Sequence, residues 1–457
     1  MSANQLVIQN GRVIDPASGY DEISDVLIED GRIISIGPTS SESGAPARRF
    51  DASGCIVAPG LIDPHVHLRE PSKSHDETIA TGAASAINGG FTTIACMPNT
   101  QPTLDSPEMV RYVQSRAAEA KRARVFVVGA ATEARHGEML APIGGMAHAG
   151  ALAFSDDGDV VANAGIMEKV LRTVKSFDRA FMQHCQEPSL TRGGVMNAGP
   201  LATRLGLKGW PAVAEELIIE RDIRLNRRIG ADYHVQHVSG AGSVDIIRRA
   251  RDAGQPVTAE ASPHHLLLTE DTCAAYDPMA KMNPPLRTAR DVEALKQGIA
   301  DGVITILATD HAPHPLHTKQ TDFTNAAFGI VGLDCALPLY AEALIAGGVV
   351  DWPEMLAMMT IHPAHLLGLD RMGLGRLTEG GPADVTIIDP DHDWTIEADR
   401  FASTGRNCPF DGREAKGRAI ASFIAGRIRL DRESKRHNAP TSGETAGRSG
   451  AAQQTAY

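Results

Sequence analysis

The stretch LIDPHVHLREP, residues 61–71, decides the fold predicted for this chain. Its apolar start, Leu61 to Val66, predicts a short buried strand. His65 and His67 lie two positions apart at the end of that strand, so their side chains point to the same face. Two neutral imidazoles on one face supply half of a transition-metal site. Arg69 adds a planar cation, which suits a substrate that carries a carboxylate.

The same kind of apolar run recurs through the middle of the chain and alternates with helical stretches. Eight such units predict an α/β fold, a (β/α)₈ TIM barrel over residues 58–372. The strand candidates are Leu61–His67, Phe91–Met97, Arg124–Ala130, Ala151–Ser155, Ala180–His184, Tyr233–Val238, Pro256–Ala261 and Val303–Thr309. Catalytic groups of this fold lie at the carboxyl ends of the strands, so we expect the functional residues there.

Both ends of the chain consist of short β-like runs separated by glycine turns. Residues 1–57 carry LVIQNGRVID and DVLIEDGRIISIG, in which Asn-Gly and Asp-Gly are hairpin signals. Residues 373–431 carry the similar stretches ADVTIIDP and GRAIASFIAGRIRL. Two β-rich flanks around a different middle predict a small β-sandwich built from both chain ends. Residues 432–457 are rich in Ser, Gly, Thr and charge, and predict a disordered tail.

Composition narrows the class of protein. The formal net charge of -12 argues against a nucleic-acid binder, which needs a basic face. The six cysteines are scattered without a C-x-x-C pair, which is typical of free thiols in a reducing compartment. No apolar run approaches the ~20 residues of a membrane span. The first residues lack a basic segment followed by an apolar one, so we expect a cytoplasmic protein.

Five of the eight predicted strands end in an imidazole or a carboxylate. This set is too large for one tetrahedral zinc ion. It fits two divalent ions that share a bridging carboxylate and activate one bridging water to a hydroxide. His65, His67 and Asp310 would hold the first ion, His184 and His237 the second, and Asp156 or Asp157 would bridge them. Only one of the two aspartates can face the ions, and the residues alone do not choose between them.

Structural interpretations compete with these assignments. His184 could be a buried core histidine, and Asp156 and Asp157 could cap the turn before Gly158. His234 cannot share a strand face with His237, so we interpret it as structural or as a partner of a ligand. Other polar groups follow predicted strands without fitting the ligand pattern: Asn99, Asn283 and His314.

The motifs together amount to a family signature. DPHVHLREP, GGFTTIACMPNT, AFSDDG, QHCQE, HVQHVS, SPHHL, KMNPPLR and ATDHAPH occur here in the order seen in dihydroorotases of the amidohydrolase superfamily. The chain resembles that family from GRVID to PFDG, near residue 412. The resemblance implies a two-zinc enzyme that interconverts N-carbamoyl-L-aspartate and L-dihydroorotate in pyrimidine biosynthesis. Because the fourth strand ends in FSDDG and contains no lysine, the chain looks like the longer, Asp-bridged type rather than the type with a carbamylated lysine.

The resemblance also implies roles for individual residues. The implied metal ligands are His65, His67, Asp157, His184, His237 and Asp310. Asp310 also looks like the catalytic acid–base. The implied substrate contacts are His67, Arg69, Asn99, Asn283, His314, Phe328 and Gly329. We further expect a homodimer, with aspartate transcarbamoylase as a possible partner.

Two alternatives remain at this point. A related cyclic amidase acting on dihydropyrimidines, hydantoins or allantoin would keep the metals and change the substrate contacts. Arg69 together with Asn99 favours a carboxylated ring instead. A catalytically silent homologue could serve as a scaffold for aspartate transcarbamoylase. Silent versions should lose metal ligands, and this chain keeps all of those that the resemblance implies.

Overall fold

The computed structural model describes residues 5–38 and 48–432. Two sheets organise this part of the chain, one parallel and one built from both chain ends. Apart from Arg432, the predicted disordered tail lies outside the described residues. Among those that are described, no helix combines the length and apolar character that crossing a membrane requires.

The parallel sheet is the predicted barrel, with its eight strands paired in chain order. They are β1 (Leu61–Val66), β2 (Phe91–Cys96), β3 (Arg124–Ala130), β4 (Ala151–Ser155), β5 (Ala180–Gln183), β6 (Tyr233–Val235), β7 (Val257–Ala261) and β8 (Ile306–Leu307). The chain just after β8 closes the ring, because the His67 N–H donates to the His311 carbonyl at 2.9 Å. Every residue of β1 and β2 is buried, as expected for parallel strands covered on both faces.

Helices between the strands cover the barrel. The longer ones are Ile79–Gly89, Pro107–Ala120, Ala164–Ser176, Val213–Asn226, Ala241–Asp252 and Ala289–Ala300. The shorter ones are Ile143–Ala149, Pro188–Thr191, Pro200–Leu205, Pro263–Leu267, Leu316–Lys319, Ala336–Tyr340, Trp352–Met359 and Ile361–Leu367, with a π-helical turn at Ala341–Ala346. The first helix shows how sequence sets the bounds. Thr78 and Thr81 form a capping box at its start, and Gly90 ends it in a left-handed conformation with φ 95°.

The second sheet, here called the end sheet, joins both chain ends. Its strands are Gln5–Asp15, Tyr20–Glu29, Arg32–Ile36, Arg48–Asp51, Ile56–Pro59, Val385–Thr395, Glu414–Ile424 and Arg427–Asp431. Ile56–Pro59 pairs with Gln5–Asp15 on one side and with Val385–Thr395 on the other. The β structure predicted from both flanks is therefore confirmed as one sheet. A short parallel pair, Met196–Asn197 with Gly209–Trp210, lies apart from both sheets.

The end sheet curls so that the turns before its two outer strands, at Gly31 and Gly426, lie close together. The Ala383 N–H donates to the Gly31 carbonyl, and the Gly426 N–H donates to the Ala383 carbonyl, both at 2.9 Å. The sheet encloses a hydrophobic core of its own, which includes Ile8 and Val385. It is also coupled closely to the barrel, because Gly60 alone separates Ile56–Pro59 from β1.

One of the two hairpin signals is wrong. Asp30 and Gly31 do form the turn between strands, with φ 48° and 82°. Asn10 and Gly11 instead lie inside the strand Gln5–Asp15, where the register shifts. A Cβ on Gly11 would lie 2.4 Å from Val57 Cγ2. The Asn-Gly pair therefore makes a β-bulge, whose glycine admits a neighbouring side chain.

Candidate active site

A cavity of ≈ 380 Å³ opens at the carboxyl ends of the barrel strands. Of the residues predicted for the site, His65 alone does not line it, because that side chain is fully buried beneath the cavity floor. The lining residues are His67, Arg69, Asn99, Asp157, Gly158, His184, His237, Met282, Asn283, Asp310, Ala312, His314, Ala327, Phe328 and Gly329. The cavity thus brings together residues that are up to 262 positions apart in the chain (67 to 329).

Several of these side chains lie just beyond their strands rather than within them. His184 follows β5 directly, and Asp157 lies two residues after β4. His237 and Asp310 have positive φ values, 29° and 48°, which residues other than glycine rarely adopt. This backbone conformation ends the strand, so β6 and β8 are shorter than predicted. Such strain concentrates at functional sites, where the fold holds a side chain in a required direction.

Asp157 lies at the centre of the histidine cluster. Its Oδ2 is 3.3 Å from His67 Nε2 and 3.5 Å from His65 Nε2. Its Oδ1 is 3.3 Å from His184 Nδ1 and 3.5 Å from His237 Nε2. Each carboxylate oxygen therefore faces a different pair of imidazoles.

Asp156 points elsewhere. It accepts hydrogen bonds from the backbone N–H groups of Ala131 and Thr132, at 2.9 and 3.0 Å, and from the Thr132 hydroxyl. These contacts fix the chain after β3 and leave Asp156 fully buried. The geometry therefore favours Asp157 over Asp156 as the aspartate that could join two cations.

Asp310 completes the cluster from the far side of the barrel. Its Oδ1 is 2.9 Å from His67 Nε2 and 3.5 Å from His65 Nε2. Three sets of potential ligand atoms each lie within 4.8 Å of one another: His65, His237 and Asp310; His65, His67 and Asp157; and Asp157, His184 and His237. These overlapping sets could hold more than one cation.

The electrostatics of the cluster favour anionic aspartates. Burial raises the pKa of Asp157, but His65, His184 and His237 outweigh it and hold that pKa well below its usual range. Burial likewise raises the pKa of Asp310, and His65 and His67 bring it below its usual value. Two buried carboxylates surrounded by imidazoles form an environment suited to cations.

Glu260 belongs to this site and was missed by the sequence analysis. It is fully buried in β7, and its Oε1 is 2.5 Å from His65 Nδ1. The same oxygen accepts from the His237 N–H at 3.1 Å, and Oε2 is 2.9 Å from His234 Nε2. Glu260 therefore orients two proposed ligands from behind. The available signal was a single charged residue in the strand segment VTAEA.

The predicted carboxylate-binding residues gather at one side of the cavity. Arg69 Nε donates to the Pro313 carbonyl at 3.1 Å, and Arg69 Nη2 is 3.3 Å from His314 Nε2. Asn99 Oδ1 is 2.8 Å from His67 Nδ1, so this amide is engaged with a proposed ligand while it lines the cavity. Burial and the nearby Arg69 lower the pKa of His314 to about 2, so its ring is neutral, with one nitrogen that can donate a hydrogen bond and one that can accept.

The cavity is also lined by the residues predicted to meet the ring amide, Asn283, Phe328 and Gly329. Asn283 is half-buried, and its buried Oδ1 lacks a hydrogen-bond partner in the described part of the chain. The Gly329 N–H donates to the Lys281 carbonyl at 3.1 Å. The Phe328 ring packs against Lys281, whose Nζ is 4.3 Å from the ring centroid. A substrate contact from the Gly329 N–H would have to replace an existing bond, and it stays a prediction.

Comparison with known proteins agrees with this geometry. The chain is 46% identical to the dihydroorotase of Pelobacter propionicus over 93% of its own length and 99% of that protein. It is 47% identical to the dihydroorotase of Syntrophotalea carbinolica, over 93% of this chain and 98% of the other. A family model described as dihydro-orotase-like matches residues 54–243.

Solved structures confirm the predicted fold. The L-hydantoinase (dihydropyrimidinase) from Arthrobacter aurescens is 25% identical, with a TM-score of 0.84 over 93% of this chain and 96% of its own. The dihydropyrimidinase from Brevibacillus agri NCHU1002 is 22% identical, with a TM-score of 0.78 over 94% of this chain and 95% of its own, a likeness of fold alone. From the identity to curated relatives over nearly their full length, the chain belongs to the dihydroorotase family of cyclic amidohydrolases.

Proposed function

We propose that this chain carries out the reversible cyclisation of N-carbamoyl-L-aspartate to L-dihydroorotate in the cavity at the barrel mouth. The observation that carries this proposal is the position of Asp157, whose two oxygens each face a separate pair of imidazoles. A carboxylate placed in this way suits a pair of divalent ions that act on one water.

The residues of the cluster fit two zinc ions. Asp157 Oδ1 is buried without a hydrogen-bond partner among the described residues, a costly condition that a bound cation would relieve. His184 Nδ1 and His237 Nε2 lie 2.7 Å apart and turn toward the same point. Imidazole nitrogens and carboxylate oxygens are typical zinc ligands. His65, His67 and Asp310 would hold one ion, His184 and His237 the other, and Asp157 both.

Asp310 is the proposed acid–base residue. Bound ions supply a Lewis acid and lower the pKa of water. The Asp310 carboxylate, held anionic against His67, lines the cavity and can take a proton from the attacking water. In the hydrolytic direction it then returns that proton to the ring nitrogen that leaves the carbonyl carbon. Cyclisation reverses these transfers.

Arg69 and His314 are the proposed contacts to the substrate carboxylate. Their side chains lie 3.3 Å apart on one side of the cavity, where a guanidinium can form a paired hydrogen bond with a carboxylate. His67 and Asn99 lie beside them, and Asn99 can offer its amide hydrogens because its oxygen already faces His67. Asn283 and the backbone at Phe328 and Gly329, which also line the cavity, would then contact the ring amide.

Metal analysis of the purified protein together with an assay on L-dihydroorotate tests the proposal. We expect two zinc ions per chain and turnover of dihydroorotate, with little turnover of dihydrouracil or hydantoin, which lack the carboxylate. The opposite preference would favour a hydantoinase-like activity, and a metal-free protein that cannot be loaded would refute the cluster assignment.

The two neighbouring aspartates supply a matched pair of variants for this experiment. Asp157→Asn should lose zinc and turnover, because its side chain faces the imidazoles. Asp156→Asn should retain zinc, because its side chain contacts the backbone after β3 instead. Retention of both ions by Asp157→Asn would contradict the bridging role. A homodimeric state, a partnership with aspartate transcarbamoylase and a cytoplasmic location stay predictions.

A further inference from the structure

Asn407 reaches the cavity rim from a segment that follows the barrel in the chain. Its side chain is fully buried. Its Oδ1 accepts from the His314 N–H at 3.1 Å, and its Nδ2 donates to the carbonyls of Ala312 and Gly329, each at 2.9 Å. Both amide hydrogens and the amide oxygen are thus used. The Asn407 backbone carbonyl also accepts from the Val331 N–H at 3.1 Å.

These bonds join two parts of the rim that are separate in the chain. Ala312 and His314 follow β8, whereas Gly329 lies where the chain returns to the barrel after the helix Leu316–Lys319. The two parts pack closely, since a Cβ on Gly329 would lie 2.7 Å from His314 Cδ2. Gly329 also has a φ of 145°, a conformation that favours glycine. Asn407 therefore binds both sides of the close contact between His314 and Gly329, which requires a residue without a side chain at position 329.

The segment that carries Asn407 is itself anchored to the barrel. Glu77, which is fully buried, accepts hydrogen bonds from the hydroxyls of Ser403 and Thr404. Its Oε2 also lies 3.3 Å from Nε2 of His311, the residue next to Asp310. The position of Asn407 is thus fixed from the same side of the barrel that supplies Asp310.

We propose that Asn407 is a positioning residue for the substrate carboxylate, holding His314 and Arg69 at a fixed distance from Phe328 and Gly329. Arg69 connects to this arrangement twice, through the Pro313 carbonyl and through the His314 ring. Both of those residues lie in the stretch that Asn407 binds. The inference rests on the proposed function, because it takes Arg69 and His314 as the carboxylate contacts.

Asn407→Asp tests the role with almost no change of size. The new carboxylate cannot donate, and it would face the carbonyls of Ala312 and Gly329. We expect KM for L-dihydroorotate to rise about tenfold or more, with kcat changed less than about threefold and zinc content unchanged. Asn226→Asp is the matched control, since Asn226 is a buried asparagine bonded on both sides to Ala231, away from the cavity. That control should leave KM unchanged.

A double variant separates positioning from general destabilisation. Arg69→Met alone should raise KM, and adding Asn407→Asp should raise it little further, because Asn407 acts through Arg69 and His314. Fully additive effects, or a fall in kcat at constant KM, would overturn the role of Asn407. If Arg69→Met itself left KM unchanged, the carboxylate assignment would fail instead. Should Asn407→Asp not fold, Asn407→Ser, which keeps one uncharged donor, is judged by the same KM comparison.

Discussion

Asp310 combines an unusual backbone conformation with a central position in the cluster. Its φ is 48°, and its Oδ1 lies 2.9 Å from His67 Nε2. Replacing it by asparagine preserves size and removes the proton acceptor. We expect Asp310→Asn to lower kcat by about 10²–10⁴-fold in both directions, with KM for L-dihydroorotate within a few-fold of wild type. Steady-state kinetics measure both values.

Zinc content must be measured on the same samples, because Asp310 is also a proposed ligand. Loss of turnover with both ions retained would separate proton transfer from metal binding. The exposed Asp301→Asn provides a control for the substitution itself, since that carboxylate pairs with Arg248 on the surface. Normal turnover by Asp310→Asn would refute the acid–base role.

Single residues also show what the sequence could predict. Functional groups of a (β/α)₈ barrel lie at the carboxyl ends of its strands. That rule predicted from sequence alone that His65, His184 and Asp310 lie at one rim. It left Asp156 and Asp157 undecided, because adjacent residues alternate in direction and the register of the strand end was unknown. It missed Glu260, whose partner His65 lies 195 positions away and is found only when the barrel closes.

Among the elements, the strand positions were predicted better than the strand ends. Hydrophobic runs marked all eight barrel strands, since a strand buried on both faces is apolar throughout. The predicted ends at Val238 and Thr309 overran the observed ends at Val235 and Leu307. His237 and Asp310 adopt positive φ values just beyond the observed strand ends. Histidine is not a strand-ending signal, and a single aspartate after an apolar run is only a weak one. The hairpin turn predicted at Asn10 and Gly11 was wrong, because Gly11 makes room for a neighbouring side chain inside a strand and forms no turn.

The helix Leu316–Lys319 carries a buried ammonium group with a measurable consequence. Lys319 Nζ donates to the carbonyls of Lys281, Ala327 and Gly329, at 3.0, 2.9 and 3.0 Å. Burial, reinforced by Lys281, lowers the pKa of Lys319 from 10.5 to about 7, with Asp277 and Cys273 opposing the shift. Between about pH 7 and 10.5 the unfolded chain therefore binds a proton that the folded chain has released. Stability contributed by this group rises with pH across that window and is constant below it.

Thermal unfolding of the wild type and Lys319→Met between pH 6 and 10 tests this linkage. The difference in Tm, wild type minus variant, should stay level below about pH 7 and then increase. Lys169→Met, a change at an exposed lysine of the helix Ala164–Ser176, should show no such trend. A difference that stays level up to pH 10 would mean that Lys319 keeps its proton, bound to the three carbonyls.

For the whole molecule, the proposed metals tie distant strands together. The six proposed ligands come from β1 and from the ends of β4, β5, β6 and β8, so the site exists only in the closed barrel. Ions that bind only the folded state stabilise it by mass action. We expect a chelator to lower Tm by several degrees and added zinc to restore it. Asp157→Asn should show a much smaller chelator effect, and an equal effect in both proteins would place the stabilising ion elsewhere.

At this scale the sequence predicted most of the architecture. Alternation of apolar strands and helices indicated the barrel, and matching β-rich flanks indicated a shared sheet. Pattern alone could not show that the flanks enclose a common core or that Asn407 returns to the barrel rim. Both depend on contacts between parts of the chain more than 70 residues apart, for which neither strand nor helix periodicity carries a signal.

The single residue Gly60 between the end sheet and β1 has a mechanical consequence. A Cβ there would lie 2.1 Å from Thr92 Oγ1, and the Gly60 N–H donates to the Asp384 carbonyl at 2.9 Å. The backbone at Gly60 is therefore held closely by Thr92 on one side and Asp384 on the other. The strand Ile56–Pro59 of the end sheet thus leads without a loop into β1, so the attachment of the end sheet and the position of His65 depend on each other.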